Sequence, residues 1–334
     1  MPGATPLLRG RWKASGSAHL PHPTAPAYTD SMRSVEGTRK PKGQDMDETM
    51  GTDRGDASAE APTLRGRTLF ITGGSRGIGK AIGLRAAASG ANVVVAAKTD
   101  VPHPRLPGTI HTAAEEMEAA GGRALAVKVD IREEGQVRDA VERAVATFGG
   151  VDILVNNASA IYLADTPGTP LKRFDLMFGV NVRGTFLCSQ LLLPHLQDGI
   201  NPHILNLAPP PDLDPRWFQD HVAYTISKYG MSMCVLGMAE EFRELGVAVN
   251  ALWPRTLIAT AALSMLEGGI SPTDCRRPEI VADAAFEILT RRSRSCTGNF
   301  FLDEEVLREA GTQDFERYAV EPGHPLRSDL FVSG

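Results

Sequence analysis

One glycine-rich turn organises the sequence: Thr72-Gly73-Gly74-Ser75-Arg76-Gly77-Ile78-Gly79. It follows the apolar run 68–71 and opens a helical pattern that begins at Lys80. Glycine permits a tight turn there and lets backbone N–H groups approach a pyrophosphate at the positive end of a helix. Its spacing, G-x3-G-x-G, differs from the common G-x-G-x-x-G fingerprint. The turn indicates a dinucleotide site, although such turns also form for packing alone.

Short apolar runs alternate with longer helical patterns from residue 63 onward. Most of the runs are too continuously apolar to have a wet face, which is typical of strands in a parallel sheet covered on both sides. The predicted strands are 68–72, 92–97, 124–129, 152–156, 203–207, 247–252 and 298–302. The predicted helices are 78–89, 110–121, 134–148, 171–196, 221–244 and 278–292. This alternation predicts an α/β fold: a doubly wound parallel sheet of the Rossmann type, in three layers.

The composition divides the 334 residues into three parts. Residues 1–62 hold seven prolines and only four strong core formers, so we predict a disordered N-terminal extension over 1–63. Residues 64–302 form the predicted dinucleotide-binding domain, and 303–334 form a C-terminal tail that packs on the domain or extends from it. The basic start of the extension also resembles an organelle transit peptide, but its prolines weaken the amphipathic helix that such a peptide needs.

Charge and cysteine content exclude several classes of partner. A net charge of −5 gives no electrostatic reason to expect nucleic acid or an anionic membrane. The sequence has no apolar run of about 18 residues that would span a membrane. Its four cysteines lie far apart without a CxxC pair, so no metal site is predicted. A cytoplasmic protein that acts on a small molecule is the expectation.

The end of the second strand bears on the choice of dinucleotide. An NAD site commonly places a carboxylate there to bind the ribose 2′-hydroxyl, but this sequence continues with Lys98 and Thr99. Lys98 and Arg76 can instead face a 2′-phosphate, which favours NADP, although Lys98 can equally be a solvated loop residue. Asp130 follows the third strand, where it can accept a hydrogen bond from the adenine amine or cap a helix.

Polar residues at two further positions point towards the same edge of the sheet. Asn156 ends the fourth strand, and Asn157 and Ser159 come directly after it with little bulk, which suits the floor of a cofactor site or a strand-ending turn. Asn181 lies in an otherwise apolar helical pattern, where a buried amide must find hydrogen-bond partners.

Tyr224 and Lys228 are four residues apart, which places them on one face of a helix. A tyrosine titrates near pKa ~10, and an adjacent ammonium group stabilises the phenolate and lowers that pKa. The pair is therefore a candidate general acid/base for interconverting an alcohol and a carbonyl group. The same spacing also occurs by chance in surface helices.

This ordered set of motifs resembles the short-chain dehydrogenase/reductase family over residues 64–302. The resemblance implies that Tyr224, Lys228 and Asn181 are catalytic, with Tyr224 as proton donor or acceptor. It implies NADP binding through Gly73, Gly74, Ser75, Arg76, Gly77, Ile78, Gly79, Lys98, Asp130, Asn157 and Lys228. It also implies a homodimer or homotetramer, which the helices 171–196 and 221–244 would join.

Within that family the sequence is most similar to hydroxysteroid dehydrogenase-like members. Residues 96–99, 251–254 and 322–326 carry this closer resemblance. Those members have a C-terminal sterol-carrier domain, which is not expected here. The family also follows its fifth strand with a serine that holds the substrate oxygen, whereas this sequence has Ala208. Ser159 and polar groups of the loop 212–221 are candidates to replace that hydroxyl.

The residues after the sixth strand bear on the substrate. The loop 253–256 and the pattern 261–266 are small and apolar, so they suggest a lid over an apolar, lipid- or terpenoid-like alcohol or carbonyl compound, or ordinary core. We therefore expect an NADP-dependent oxidoreductase. The alternative is an NADPH-binding sensor, or a catalytically weak member of the family, because the serine is missing.

Overall fold

The predicted strands form one parallel sheet in the computed structural model, which describes residues 63–104, 106–261, 263 and 270–333. The predicted extension, apart from Thr63, and most of the predicted lid at 261–266 lie outside the described residues. Within the described part, the sheet has the order β3-β2-β1-β4-β5-β6-β7. Every pair of neighbouring strands is parallel. The predicted doubly wound α/β fold is confirmed.

The strand boundaries differ from the predicted ones by no more than two residues. The strands are β1 (Thr68–Thr72), β2 (Asn92–Ala97), β3 (Arg123–Lys128), β4 (Ile153–Asn156), β5 (His203–Asn206), β6 (Ala248–Trp253) and β7 (Phe300–Leu302). All residues of β1, β2, β4, β5 and β6 are buried, as expected for strands covered on both faces.

Helices cover both faces of the sheet. They are α1 (Gly77–Ala88), α2 (Ile110–Ala119), α3 (Glu134–Phe148), α4 (Leu171–Met177), α5 (Thr185–Leu196), α6 (Val222–Glu241), α7 (Glu279–Thr290) and α8 (Asp303–Glu309). One buried apolar cluster joins α1, α2, α7 and α8 to the sheet. A second cluster joins α3, α5 and α6 to the opposite face. The core is therefore divided by the sheet into two layers.

The predicted helix 171–196 is divided into three pieces. Between α4 and α5 the backbone adopts a π-helical turn, Phe178–Gly184. Such turns interrupt the regular hydrogen-bond ladder and are frequent at functional sites. The whole stretch Leu171–Leu196 is the one described helix long and apolar enough to cross a membrane by length and composition alone. A core helix of a globular protein has the same properties, and much of this stretch is packed in the core.

The strand order reverses at β1, which lies between β2 and β4. The chain turns to opposite sides of the sheet where it leaves the carboxyl ends of β1 and β4, so a crevice opens between the two connections. The glycine-rich turn leaves β1 at this point, and Asn157 follows β4. The topology therefore brings two of the predicted motifs to one edge of the sheet.

Candidate active site

The glycine-rich turn closes tightly against the chain after β4. Gly73 and Gly77 have φ angles of 67° and 55°, a region that favours glycine. A Cβ atom on Gly79 would lie 2.3 Å from Asn157 Nδ2 and 2.8 Å from the Gly73 carbonyl oxygen. The Asn157 amide donates to the carbonyl oxygens of Thr72 (2.9 Å) and Gly73 (3.2 Å). Asn157 thus holds the turn, and glycine at position 79 makes room for it.

A groove of about 480 Å³ runs along this turn. The ends of β2 and β3 form its far side, and the chain after β4 forms its floor. Its volume lies within the range of sites that hold a cofactor. Its lining residues include Gly73, Ser75, Arg76, Gly77, Ile78, Lys98, Thr99, Asp130, Asn157, Ser159 and Thr260. The structure thus brings most of the predicted cofactor residues to one groove, whereas Gly74, Gly79 and Lys228 do not line it.

Arg76 reaches across the groove towards the end of β2. Its guanidinium group donates to Thr99 Oγ1 (2.6 Å), and its Nε is buried without a partner among the described residues. A buried guanidinium donor beside a helix N-terminus suits an anionic group. Together with the glycine cradle, this supports the fit of a phosphate-bearing dinucleotide.

Lys98 and Asp130 contact each other. The Lys98 ammonium lies 3.1 Å from Asp130 Oδ2, and the Lys98 side chain remains 63% exposed. Arg132, which sequence reasoning missed, donates to both oxygens of Asp130. Hydrogen bonds from Arg132, assisted by Lys98, hold the pKa of Asp130 far below its usual range. The 2′-phosphate of a bound NADP would therefore share the positive charge of Lys98 with the ionised Asp130 carboxylate.

The π-helical turn carries Asn181, which is fully buried and does not line the groove. Asn181 Oδ1 accepts from the Ala160 backbone N–H (2.8 Å), and its Nδ2 donates to the Ala160 carbonyl oxygen (2.9 Å) and to Ser227 Oγ (3.0 Å). Ser227 lies between Tyr224 and Lys228 on α6. Asn181 thus joins the chain after β4 to the helix that carries the Tyr-Lys pair.

Tyr224 and Lys228 are buried side chains on the same face of α6, at 5% and 2% exposure. The Lys228 ammonium donates to the Leu207 carbonyl oxygen (2.6 Å) and lies 4.9 Å from the centre of the Trp253 ring. Burial lowers the pKa of Lys228 to about 7. Burial, and secondarily Asp329, raise the pKa of Tyr224. The expected lowering of the Tyr224 pKa by Lys228 does not occur in this structure, because loss of solvation dominates and Lys228 is not among the groups that shift this pKa.

A cavity of about 570 Å³ lies in front of these two side chains. Ile78, Asn157, Ser159 and Thr260 line both this cavity and the cofactor groove, so the two spaces adjoin. Most of the remaining lining is apolar: Ile161, Leu163, Leu207, Trp217, Trp253, Pro254, Leu257, Ile258, Leu263, Ile270, Leu330 and Val332. The arrangement can place an apolar substrate beside Tyr224 and next to a bound dinucleotide.

The C-terminal segment forms one wall of this cavity, which sequence reasoning missed. Arg327, Ser328, Asp329, Leu330 and Val332 all line it. No local pattern signals this role, because the segment is about 100 residues from Tyr224 in sequence. Only the tertiary fold brings the two together.

The position of the missing serine is buried and apolar. Ala208 is fully buried and does not line the described cavity. In the loop 212–221, the Asp212 carboxylate accepts from the Trp217 indole (2.8 Å), so this polar group is already used inside the loop. Ser159 does line the cavity. Of the predicted replacements, the structure therefore brings Ser159 to the site.

Among the described residues, no group of three or more His, Cys, Asp or Glu side chains could hold a metal ion.

Residues 67–267 match the protein family described as short chain dehydrogenase. Hydroxysteroid dehydrogenase-like protein 2 of Danio rerio is 62% identical over 271 residues, which cover 81% of this chain and 65% of that protein. The Rattus norvegicus protein of the same name is 61% identical over 269 residues, which cover 80% of this chain and 51% of that protein. The chain thus spans about half to two thirds of the length of these relatives.

Solved structures share the fold. A putative dehydrogenase from Xanthomonas campestris is 60% identical with a TM-score of 0.80, covering 81% of this chain and 100% of that one. A metagenomic short-chain oxidoreductase in complex with NADP is 25% identical with a TM-score of 0.58, covering 72% and 96%. A Mycobacterium paratuberculosis short chain dehydrogenase bound to NAD is 23% identical with a TM-score of 0.61, covering 72% and 97%. The fold by itself does not select between the two cofactors.

Proposed function

Since this chain belongs to the short-chain dehydrogenase family of oxidoreductases, we propose that it interconverts an apolar alcohol and its carbonyl compound with NADP as cofactor. One observation carries the proposal: Tyr224 and Lys228 line the cavity that adjoins the glycine-rich groove. The dinucleotide would supply or accept the hydride. Tyr224 would exchange the proton on the substrate oxygen, as a positioned general acid/base.

The apolar substrate follows from the walls of the cavity. Trp217, Trp253 and Leu257 surround the space in front of Tyr224, and burying a side chain of the substrate against them is favourable at about 25 cal/mol per Å² of apolar surface. A small, strongly polar substrate would lose hydration there without regaining hydrogen bonds. We therefore favour medium-sized aliphatic, lipid-like or terpenoid-like substrates.

The preference for NADP rests on the end of β2. Lys98 and Arg76 line the groove there, and no carboxylate follows Ala97 to bind a ribose 2′-hydroxyl. Charge-assisted hydrogen bonds of this kind contribute roughly 1.5–3 kcal/mol each, and solvent reduces the share of exposed Lys98. Because Lys98 also pairs with Asp130, we expect a moderate preference rather than an absolute one.

A screen of apolar aldehydes, ketones, and fatty and terpenoid alcohols with NADP(H) tests the reaction. The Tyr224→Phe variant should lose about 10²–10⁴-fold in turnover while NADPH binding, followed by cofactor fluorescence, survives. Tyr318→Phe is the matched control, because this hydroxyl donates to Asp283 (2.7 Å), outside both spaces. Equal turnover by Tyr224→Phe and the control would contradict the assignment.

A second candidate function is an NADPH-binding sensor with weak catalysis. The buried Ala208 and the raised pKa of Tyr224 favour it. Tight NADPH binding without turnover on the whole screen would support the sensor and reject the enzyme.

We also propose that copies of the chain associate through α5 and α6. Phe186, Ile226, Met233 and Leu236 are 41–51% exposed apolar side chains on these two helices. Burying such side chains between two copies would remove apolar surface from water.

A further inference from the structure

The segment 327–332 is fixed to the rim of the cavity by backbone pairing. The Leu257 N–H donates to the Arg327 carbonyl oxygen (2.9 Å), and the Asp329 N–H donates to the Arg255 carbonyl oxygen (3.0 Å). The Trp253 indole N–H donates to the Leu330 carbonyl oxygen (2.8 Å). These bonds run along the chain after β6, so the segment is a built wall of the cavity.

Phe331 anchors the same segment from inside. The centre of its ring lies 5.4–6.2 Å from the ring centres of five aromatic side chains: Trp217, His221, Tyr224, Tyr229 and Trp253. Its φ angle of 69° is rare for a residue with a bulky side chain. A strained backbone persists only where its surroundings hold it, and such residues cluster at functional sites. The aromatic contacts thus hold Phe331, two residues after Asp329, in place.

Asp329 is the one carboxyl group among the described cavity-lining residues. Its Oδ1 accepts from the Leu330 N–H (2.7 Å), and Lys228 and Tyr224 line the same space. Ala208 offers no hydroxyl and does not reach the cavity. The site therefore lacks the usual serine but has an acid carried by a different part of the chain.

We propose that Asp329 holds the substrate oxygen beside Tyr224, as a protonated carboxyl group that donates a hydrogen bond to it. This inference rests on the proposed function. During reduction, the carbonyl carbon would receive the hydride from the reduced nicotinamide, which is oxidised. The substrate oxygen would receive its proton from the Tyr224 hydroxyl, which is reprotonated from solvent. Asp329 keeps its own proton and stabilises the charge that develops on the oxygen.

The surroundings of Asp329 favour its neutral form. Burial raises the pKa of Asp329 to about 8, and Asp303 at the start of α8 adds to the effect. The hydrogen bond from the Leu330 N–H opposes the rise in the Asp329 pKa, and so does Lys228 on α6, although burial lowers the pKa of Lys228 itself to about 7. Tyr224 on α6 is neutral, and the other cation lining the cavity, Arg327, lies on the same segment. A carboxylic acid kept neutral in this way can donate to a developing oxyanion.

Two variants of Asp329 test the proposal in the full chain. Asp329→Ala removes the donor, and we expect kcat for carbonyl reduction to fall by roughly 10²–10³-fold with unchanged NADPH affinity. Asp329→Asn keeps the size and donates at every pH. Wild-type reduction should decline as the pH rises through about 8, and this decline should be absent in Asp329→Asn. Any pH dependence that comes from Lys228 remains in both proteins.

Asp314→Ala is the matched control. Its carboxylate accepts from the Glu316 N–H (2.9 Å), outside the cavity. We expect wild-type kcat and the wild-type pH profile from this variant. An Asp329→Ala enzyme within threefold of wild type, or superimposable pH profiles for Asp329→Asn and wild type, would overturn the proposal.

A binding measurement separates this proposal from the proposed function. Decanamide offers an apolar chain and a carbonyl oxygen, and hydride transfer does not turn it over. Its affinity for the NADPH-bound protein should weaken above pH 8 in wild type and not in Asp329→Asn. If no substrate is turned over but this difference is found, the proposed function fails and the assignment of Asp329 stands. Equal pH dependence in both proteins rejects the assignment, whatever the turnover.

Discussion

Replacing Gly79 by alanine should disrupt the cofactor turn, although alanine normally favours a helix. Gly79 lies in α1, where alanine would contribute about 1 kcal/mol through helix propensity. The added Cβ, however, would lie 2.3 Å from Asn157 Nδ2 and 2.8 Å from the Gly73 carbonyl oxygen. Overpacking of this kind costs about 1–3 kcal/mol. Moving the Asn157 amide away also weakens its two hydrogen bonds to the turn, worth about 1 kcal/mol each.

The net expectation for Gly79→Ala is a loss of roughly 2 kcal/mol in the free energy of unfolding. NADPH affinity should fall at least about tenfold, because the displaced groups belong to the cradle. Gly135→Ala is the control: Gly135 lies in α3 with nothing within 4 Å of its added Cβ, so this variant should be slightly more stable than wild type.

Urea unfolding and NADPH fluorescence titration measure both effects. The Asn157→Ala substitution removes the side chain that the new Cβ atom would meet first. Gly79→Ala should therefore lower the free energy of unfolding less in an Asn157→Ala background than in wild type. The reasoning would be refuted if Gly79→Ala unfolded at the same urea concentration as Gly135→Ala and bound NADPH as wild type does.

Three further outcomes are expected. Lys98→Asp should shift the ratio of kcat/KM for NADP over NAD towards NAD by tenfold or more; an unchanged ratio would remove Lys98 from the cofactor site. Burial lowers the pKa of His203 from its usual value of 6.5 to about 4. The folded state therefore favours the neutral imidazole, so the free energy of unfolding should be highest above pH 6.5 and should fall as the pH decreases from 6.5 to 4. His203→Gln should flatten that pH dependence in unfolding experiments, and a slope equal to wild type would contradict it. Phe186→Glu should shift the protein to a smaller species in sedimentation velocity; the same distribution as wild type would reject α5 as part of the interface.

Several features could be predicted from the sequence because they are local. Continuous apolar runs located β1 and β2 at their observed boundaries, since a strand buried on both faces is apolar at most of its positions. The i, i+4 spacing placed Tyr224 and Lys228 on one face of α6. The glycine pattern marked the turn whose close approach to Asn157 excludes a Cβ atom at Gly79.

Other features depended on packing that no local pattern records. The residues of Phe178–Gly184 are compatible with a regular helix, but the chain forms a π-helical turn there, with Asn181 bonded to Ala160 and Ser227. The direction of the Tyr224 pKa was wrong in the sequence-based prediction, because burial cannot be read from the spacing of a tyrosine and a lysine.

The sequence by itself determined the doubly wound sheet, the glycine-rich turn and the Tyr224–Lys228 pair, because each follows from residues that are neighbours along the chain. Only the tertiary structure decided what surrounds them. It joined Lys98 to Asp130, brought Asp329 to the wall of the cavity in front of Tyr224, and packed Phe331 against the Tyr224 ring. The positions of Asp329 and Phe331 depend on how the C-terminal segment packs along the chain after β6. Separations of up to about 100 residues leave no periodic signal in a sequence, whereas burial and hydrogen bonding fix them in the fold.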